Sequence, residues 1–425
     1  MKSRQLDPWR YSEAQEVHQA VTAFISQMDH DNPRQRQRRP IDEHRQRITA
    51  QVVLLDLFAL YNTCPSAHLS VSLTKDTYST AGRNRYMNPQ ITIRLLRRTI
   101  GFMRDKGWIE VKPGFYCRYL CSGKQTRIRA RRPLLRHLAE HGVKLEHITN
   151  HPNAECITLK APKNHRGHKM PIQYEDNATT IAHRQNLREL NRFTTGHQVA
   201  LPINLDTRQA MIPSLPNEND EEDKLPIDFT KASMTRIFNN SDWQQGGRFY
   251  GPWWQRIPSQ YRSLITINGH ATTERDYSGM HLRLLYHQEG LPIPEHWDPY
   301  DIPALPGMRR ELIKKATNMM LNGKDPKRMS FPEGTACPFT FMETVEAIQK
   351  HHRPIASHFL TGVGLFLQRK DSDIAEEVML TLMDDDILAL CIHDSFIVAL
   401  PYEQRLLEVM SAAYSKATGH LPLIK

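Results

Sequence analysis

The chain has 425 residues, 39% of them hydrophobic, and a formal net charge of +10. That length allows two or three domains with sizeable cores, and the basic balance favours an anionic partner, nucleic acid first; a merely basic soluble protein is the plainer alternative. A mean hydropathy of −0.57 and the lack of an apolar run of about 18 residues argue against a membrane span, and the polar opening MKSRQLDPWR lacks the apolar core of a secretory signal.

Residues 1–47 are expected to form a flexible basic arm. Their stretch DNPRQRQRRPIDEHRQR (31–47) is Arg-rich and holds two prolines; it would track phosphates or only solubilise the chain. Residues 48–150 read as a compact domain. ITAQVVLLDLFALY (48–61) is an apolar run of helical length, followed by turn signals in TKDTYSTAGRNRYMNPQ. ITIRLLRRTIGFMRDKG (91–107) then sets Ile91, Ile93, Leu95, Leu96, Ile100 and Met103 broadly on one side, with Arg94, Arg97, Arg98 and Arg104 around the rest. Gly107 stops that helix. WIEVK (108–112), a Pro-Gly turn and GKQTRIRA (123–130) follow, the last carrying Lys124, Arg127 and Arg129. Helix, helix and basic hairpin resemble a winged-helix domain over about residues 48–135. The resemblance implies that the second helix enters a DNA major groove and the hairpin touches backbone. The plainer reading is a winged helix that binds protein or only packs.

The six cysteines are scattered and, with no secretory signal, read as reduced thiols of a cytoplasmic protein. Cys117-x3-Cys121 followed by His147-x3-His151 invites zinc. The gap between the pairs is too long for a common finger, and satisfied core or surface residues are the alternative. Residues 151–230 form a connecting region with an acidic, Pro-rich linker, PSLPNENDEEDKLPID (213–228).

The chemistry gathers in residues 231–425. ATTERDYSGMHLRLLY (271–286) runs from polar strand residues through Asp276 into an apolar helical pattern. Asp394 sits in CIHDSFI (391–397), at the turn between the apolar runs ILALCI and FIVAL. Burying an unpaired carboxylate is costly, so an Asp there is paired, hydrogen-bonded or holds a metal. Two carboxylates on neighbouring strand tips suit a pair of Mg²⁺ ions, with Mn²⁺ as the alternative ion. Between them, MRRELIKKATNMMLNG (308–323) sets Arg310, Lys314, Asn318 and Asn322 on one helical stripe, and Gly323 ends the helix. A basic stripe facing metal-bound carboxylates suits a nucleoside triphosphate; alone, it would be a solvated helix face.

Four blocks in order resemble the palm of family A DNA polymerases and the related single-subunit phage-type RNA polymerases, over roughly residues 235–420. GGRFYGPWWQRIP (246–258) resembles the block before the palm, which implies nucleic-acid contacts for Arg248, Tyr250 and Gln255. DYSGMHLR (276–283) resembles motif A, RELIKKATNMMLNG (310–323) motif B and IHDSF (392–396) motif C. The resemblance implies metal ligation by Asp276, Asp394 and the carbonyl of Tyr277. It also implies triphosphate binding by Arg310 and Lys314, with Asn318 and Asn322 on the same stripe, and template or primer contacts for His393 and Gln368. His281 stands where DNA polymerases carry a sugar-screening Glu, and Asn322 where motif B carries an aromatic residue, so the sugar preference stays open.

Other residues divide between two readings. Glu274 is a third carboxylate or a surface strand residue. Gln368 and Ser372 open an amphipathic helix, with Gln368 near template or primer or, on the plainer reading, on a helix surface that Ser372 caps. Trp253 and Trp254 stack on bases or pack in a core. KHHRP (350–354) contacts backbone or is a loop.

The expectation is a multidomain α+β protein: an N-terminal winged helix and a C-terminal polymerase palm, an antiparallel sheet with helices and reduced fingers. Its expected work is template-directed nucleotidyl transfer for a plasmid, phage or other mobile element, with DNA and nucleoside triphosphates as partners and no membrane. Untemplated addition to a nucleic-acid end is the first alternative. A non-catalytic DNA-binding replication initiator is the second.

Overall fold

A computed structural model describes residues 2–33, 36–74, 76–78, 84–117, 119, 122–165, 167–204, 206–207, 211, 227–294 and 297–425. The chain is mixed α/β and divides into two compact units. The first comprises residues 1–156, 181–234 and 251–265, the second 157–180, 235–250 and 266–425.

In the first unit, β1 (Ser3–Gln5) pairs in parallel with β2 (His68–Val71). The hairpin strands β3 (Ile109–Lys112) and β6 (Thr126–Ala130) complete the sheet in the order β1-β2-β6-β3. β4 (Phe115–Cys117) and β5 (Ser122–Lys124) extend the hairpin as a separate ribbon. Helices α1 (Gln15–Asp31), α2 (Pro40–Thr63), α3 (Ile93–Asp105) and α4 (Arg132–Glu140) accompany this sheet. Their apolar faces close one core that includes Val17, Phe24, Met28, Leu54, Leu57, Leu96, Met103 and Ile128.

The expected flexible arm is therefore corrected. Residues 1–47 hold β1, α1 and the first two turns of α2. Val17, Ala20, Val21, Phe24, Ile25 and Met28 are buried at helical spacing on α1. Pro40 does not break structure: it occupies the first turn of α2, where its missing N–H costs nothing, and Asp42 and Glu43 follow at the positive end of the helix dipole. α3 matches its expected span closely, with the Thr92 hydroxyl capping Leu95 N–H at 3.3 Å.

Asp56, inside the apolar run of α2, is fully buried. Arg4 and Arg10 both donate to its carboxylate, at 2.6 Å and 2.9 Å, and Arg10 also pairs with Asp228 at 2.5 Å. Burial opposes ionisation of both carboxyls, but the arginine charges hold them below the usual carboxylate range.

In the second unit, β7 (Ile157–Leu159) pairs in parallel with β8 (Thr235–Asn239), which pairs antiparallel with β9 (Asp242–Tyr250). This pairing draws 157–180 into the second unit, so a single division near residue 230 does not describe the chain. A second sheet runs β10 (Thr266–Ile267), β11 (His270–Asp276), β13 (Ser395–Ala399), β12 (Leu390–Ile392), every pair antiparallel. The helices are α5 (Met280–Gln288), α6 (Arg310–Asn322), α7 (Phe341–His351), α8 (Gly364–Asp384) and α9 (Glu403–Thr418). Among the described residues no helix is long and apolar enough to cross a membrane.

Candidate active site

Asp276 and Asp394 meet through strand register. Asp276, the last residue of β11, lies opposite Ser395, the first residue of β13. Asp394 is the residue just before Ser395, in the two-residue turn joining β12 to β13. Paired strands lie about 4.8 Å apart, so the backbones of Asp276 and Asp394 come together at one end of one sheet. The Tyr277 N–H donates to the Asp394 carbonyl at 3.2 Å and ties the two segments together. Asp276 is exposed and Asp394 half-buried. Among the described residues the Asp394 side chain makes no ion pair.

Local chemistry explains both turns. Gly279 begins α5 in the left-handed region, φ 61°, and a Cβ there would come within 2.8 Å of Pro299 Cγ. DYSGM can therefore turn from strand to helix within three residues of Asp276. His393 also has a left-handed backbone, φ 62°, which costs a non-glycine residue about 1 kcal/mol. Its ring stands edge-on to Tyr250 at 5.3 Å. Residues 423–425 flank the other side of Asp276: its N–H donates to Lys425 O, and Lys425 N–H donates back, both at 2.9 Å.

Helix α6 carries the basic stripe as expected. Leu312, Ile313, Ala316, Thr317, Met320 and Leu321 are buried, while Arg310, Lys314, Asn318 and Asn322 are exposed on the opposite side. Gly323 ends the helix. Arg310 is held in a fork by Asp298, at 2.6 Å and 2.9 Å, and its guanidinium lies 5.0 Å from the Tyr300 ring centre. Tyr300 is buried, which pushes its phenol up to about 12, against the lowering influence of the Arg310 charge. Neither Asp298 nor Tyr300 has a sequence signal beyond DPY following a tryptophan.

A second cluster surrounds Asp371, which sequence reading missed inside α8. Asp371 is 1% exposed. Arg248 Nε donates to both its oxygens, at 3.1 Å and 3.0 Å, and His281 Nε2 donates at 2.7 Å. Burial opposes ionisation of Asp371, yet the His281 hydrogen bond and the Arg248 charge hold its carboxyl below the usual value. Arg248 is aimed here by a bulge: Ile237 pairs with Arg248 while Phe238 pairs with Gly246, both Gly246 and Gly247 having φ 83°. His281 and Arg248, expected to face sugar and strand separately, share one carboxylate.

Other expected residues fall elsewhere. Gln255, Trp253 and Trp254 are 4%, 3% and 1% exposed and belong to the first unit, so Gln255 is not at a surface and the tryptophans pack in a core. Gln368 is half-buried on α8, four residues after the helix begins. Ser372 does not cap that helix: it lies inside it, buried, donating to the Arg369 carbonyl at 2.8 Å. Glu274, two residues before Asp276, accepts from Ser395 Oγ at 2.7 Å. The Tyr277 ring is buried, its hydroxyl on the Met410 carbonyl at 2.6 Å.

In the first unit, Arg94 and Arg97 are exposed and Arg98 half-buried; Arg97 donates to Leu73 O at 2.9 Å and Arg98 to Asp29 at 3.2 Å. Lys124 is exposed, Arg127 half-buried, and Arg129 pairs with Glu110. The ring nitrogens of His147 and His151 accept backbone N–H groups of Lys144 and Asn153. Cys121 and most of the acidic linker lie outside the described residues.

Among the described residues no group of three or more His, Cys, Asp or Glu side chains is arranged to hold a metal ion. The Asp276–Asp394 pair still fits Mg²⁺, which takes oxygen ligands, needs one or two carboxylates, and completes its shell with water and substrate phosphates. The open position of both side chains leaves room for those ligands. No family model and no curated protein matches this chain.

Proposed function

We propose that the second unit is a template-directed nucleotidyltransferase of the polymerase-palm kind, and that the first unit binds DNA as a winged helix. The observation that carries this reading is the register of β11 and β13, which brings the backbones of Asp276 and Asp394 to one end of one sheet.

Asp276 and Asp394 would hold two Mg²⁺ ions, and the Tyr277 carbonyl would assist. Held there, Mg²⁺ would supply positive charge to an attacking 3′-hydroxyl and to the pyrophosphate as it leaves. Arg310 and Lys314, one helical turn apart on the exposed side of α6, bind the triphosphate. To do so Arg310 exchanges the Asp298 carboxylate for phosphate oxygens. Asn318 and Asn322 continue the stripe and bear on nucleotide fit. His281, fixed by Asp371, bears on the sugar. Arg248 is positioned by the same carboxylate, and Tyr250 and His393 line the approach to Asp394. The reading suits replication or priming of a mobile genetic element.

Extension of a labelled primer on a DNA template with Mg²⁺, supplying dNTPs and NTPs separately, tests this. Template-directed products are expected, and the nucleotides accepted assign DNA or RNA synthesis. Products that ignore the template would replace the reading with terminal transfer. No incorporation alongside intact duplex binding would replace it with a non-catalytic initiator.

A further inference from the structure

The first unit contains a cleft of about 770 Å³ between the α1–α2 connection, the start of α2 and the start of α3. Arg36, Arg38, Arg39, Arg45, Arg94 and Arg98 line it, together with Asn32, Asp42, Thr92 and Leu95. Six guanidiniums from two separate stretches of sequence thus face one space. Among the described residues the carboxylates set against them are Asp42, which pairs with Arg39, and Asp29, which pairs with Arg38 and Arg98. Among the described residues Arg45 makes no ion pair and meets the neutral Gln90 amide at 3.4 Å. Among the described residues Arg36 and Arg94 make no ion pair. Three cations are therefore left for an external anion.

The lining also shows which anion. The volume far exceeds a single phosphate, and the guanidiniums are spread around it, which suits consecutive phosphates of a backbone. Among the described residues no aromatic side chain lines it, so they offer no stacking platform for unpaired bases. We propose that this cleft grips the phosphate backbone of duplex DNA, with Arg36, Arg45 and Arg94 as its principal contacts. The inference deepens the DNA-binding half of the proposed function and rests on that half alone. It moves the electrostatic centre from the hairpin to the joint between the α1–α2 connection and α3. It also gives a backbone role to arginines expected in a free arm.

The test is duplex DNA binding by the full chain, wild type against R36A/R45A/R94A, across a salt series and on two unrelated sequences. The variant is expected to lose about 100-fold in affinity at 100 mM salt on both duplexes, and its slope of log K on log salt should flatten by about 2–3. R36K/R45K/R94K, which keeps the charges, should stay within a few-fold of wild type and serves as the folding control. Unchanged affinity and slope in the alanine variant, or a loss confined to single strands, overturns the proposal. The readout is duplex binding without nucleotides or Mg²⁺, so failure of the catalytic reading is read separately, in the primer-extension assay.

Discussion

Asp56 and Asp394 pose the same question in the sequence. Each is a carboxylate in or beside an apolar run, in VVLLDLFAL and ILALCIHDSF. Their outcomes are opposite. Asp56 is fully buried and saturated by Arg4 and Arg10, 52 and 46 residues away in sequence. Asp394 stands half-exposed at a strand tip beside a second carboxylate, with no ion pair among the described residues. A carboxylate neutralised on all sides holds a fold together. One that stands half-exposed at a turn, with no ion pair, has no such part in the fold and can turn to a ligand.

Stability measurements sharpen this contrast most. Asp56→Asn leaves two buried guanidiniums short of a counter-charge and should destabilise the first unit by about 3–5 kcal/mol in denaturant unfolding. Asp394→Asn breaks no ion pair among the described residues and should leave stability little changed. Equal losses in the two variants would erase the distinction.

Buried titratable groups set the pH response of each unit. Asp56 and Asp228 have folded values held below the ordinary carboxylate value of about 4, so their stabilisation is complete above that pH and fades only below it. In the second unit, burial drives His352 down to about 4, despite its hydrogen bond to the Pro299 carbonyl. Its unfolded form accepts a proton near pH 6.5, so the unit loses stability as pH falls from 6.5 towards 4, by about 3 kcal/mol in total. Thermal melts between pH 4 and 7 should show this acid limb, and His352→Asn should flatten it.

A smaller effect is expected at the Asp298–Arg310 fork. The pair is partly exposed, and such pairs contribute up to about 1 kcal/mol. Asp298→Asn should therefore free Arg310 and lower the nucleotide KM about two- to fivefold with kcat little changed. A raised KM would mean that Asp298 helps binding rather than competing with it. Smallest of all, His393→Gly relieves a left-handed backbone but loses the Tyr250 contact, and should raise stability by less than about 1 kcal/mol.

What the sequence made legible was local. The exposed stripe of α6 and its stop at Gly323, the amphipathic α3, and the turn at His393–Asp394 all follow from spacing and turn chemistry within a dozen residues. α1 was equally readable from its buried face, but the arginines and prolines just after it point to an arm. What escaped is long-range. Asp371 reads as one polar residue in a helix until the β9 bulge brings Arg248 to it. Asp298 and Tyr300 lie in a loop with no periodicity, and residues 423–425 join Asp276 only through pairing that no local pattern encodes.

The most direct test is the rate of single-nucleotide incorporation with Mg²⁺ by wild type and by Asp394→Asn, after matching their melting temperatures. Loss of a metal ligand that contributes several kcal/mol to the transition state predicts a fall of about 1,000-fold or more in the variant, with duplex binding retained. Equal incorporation by both proteins would contradict the account, because the paired carboxylates would then have no part in the chemistry.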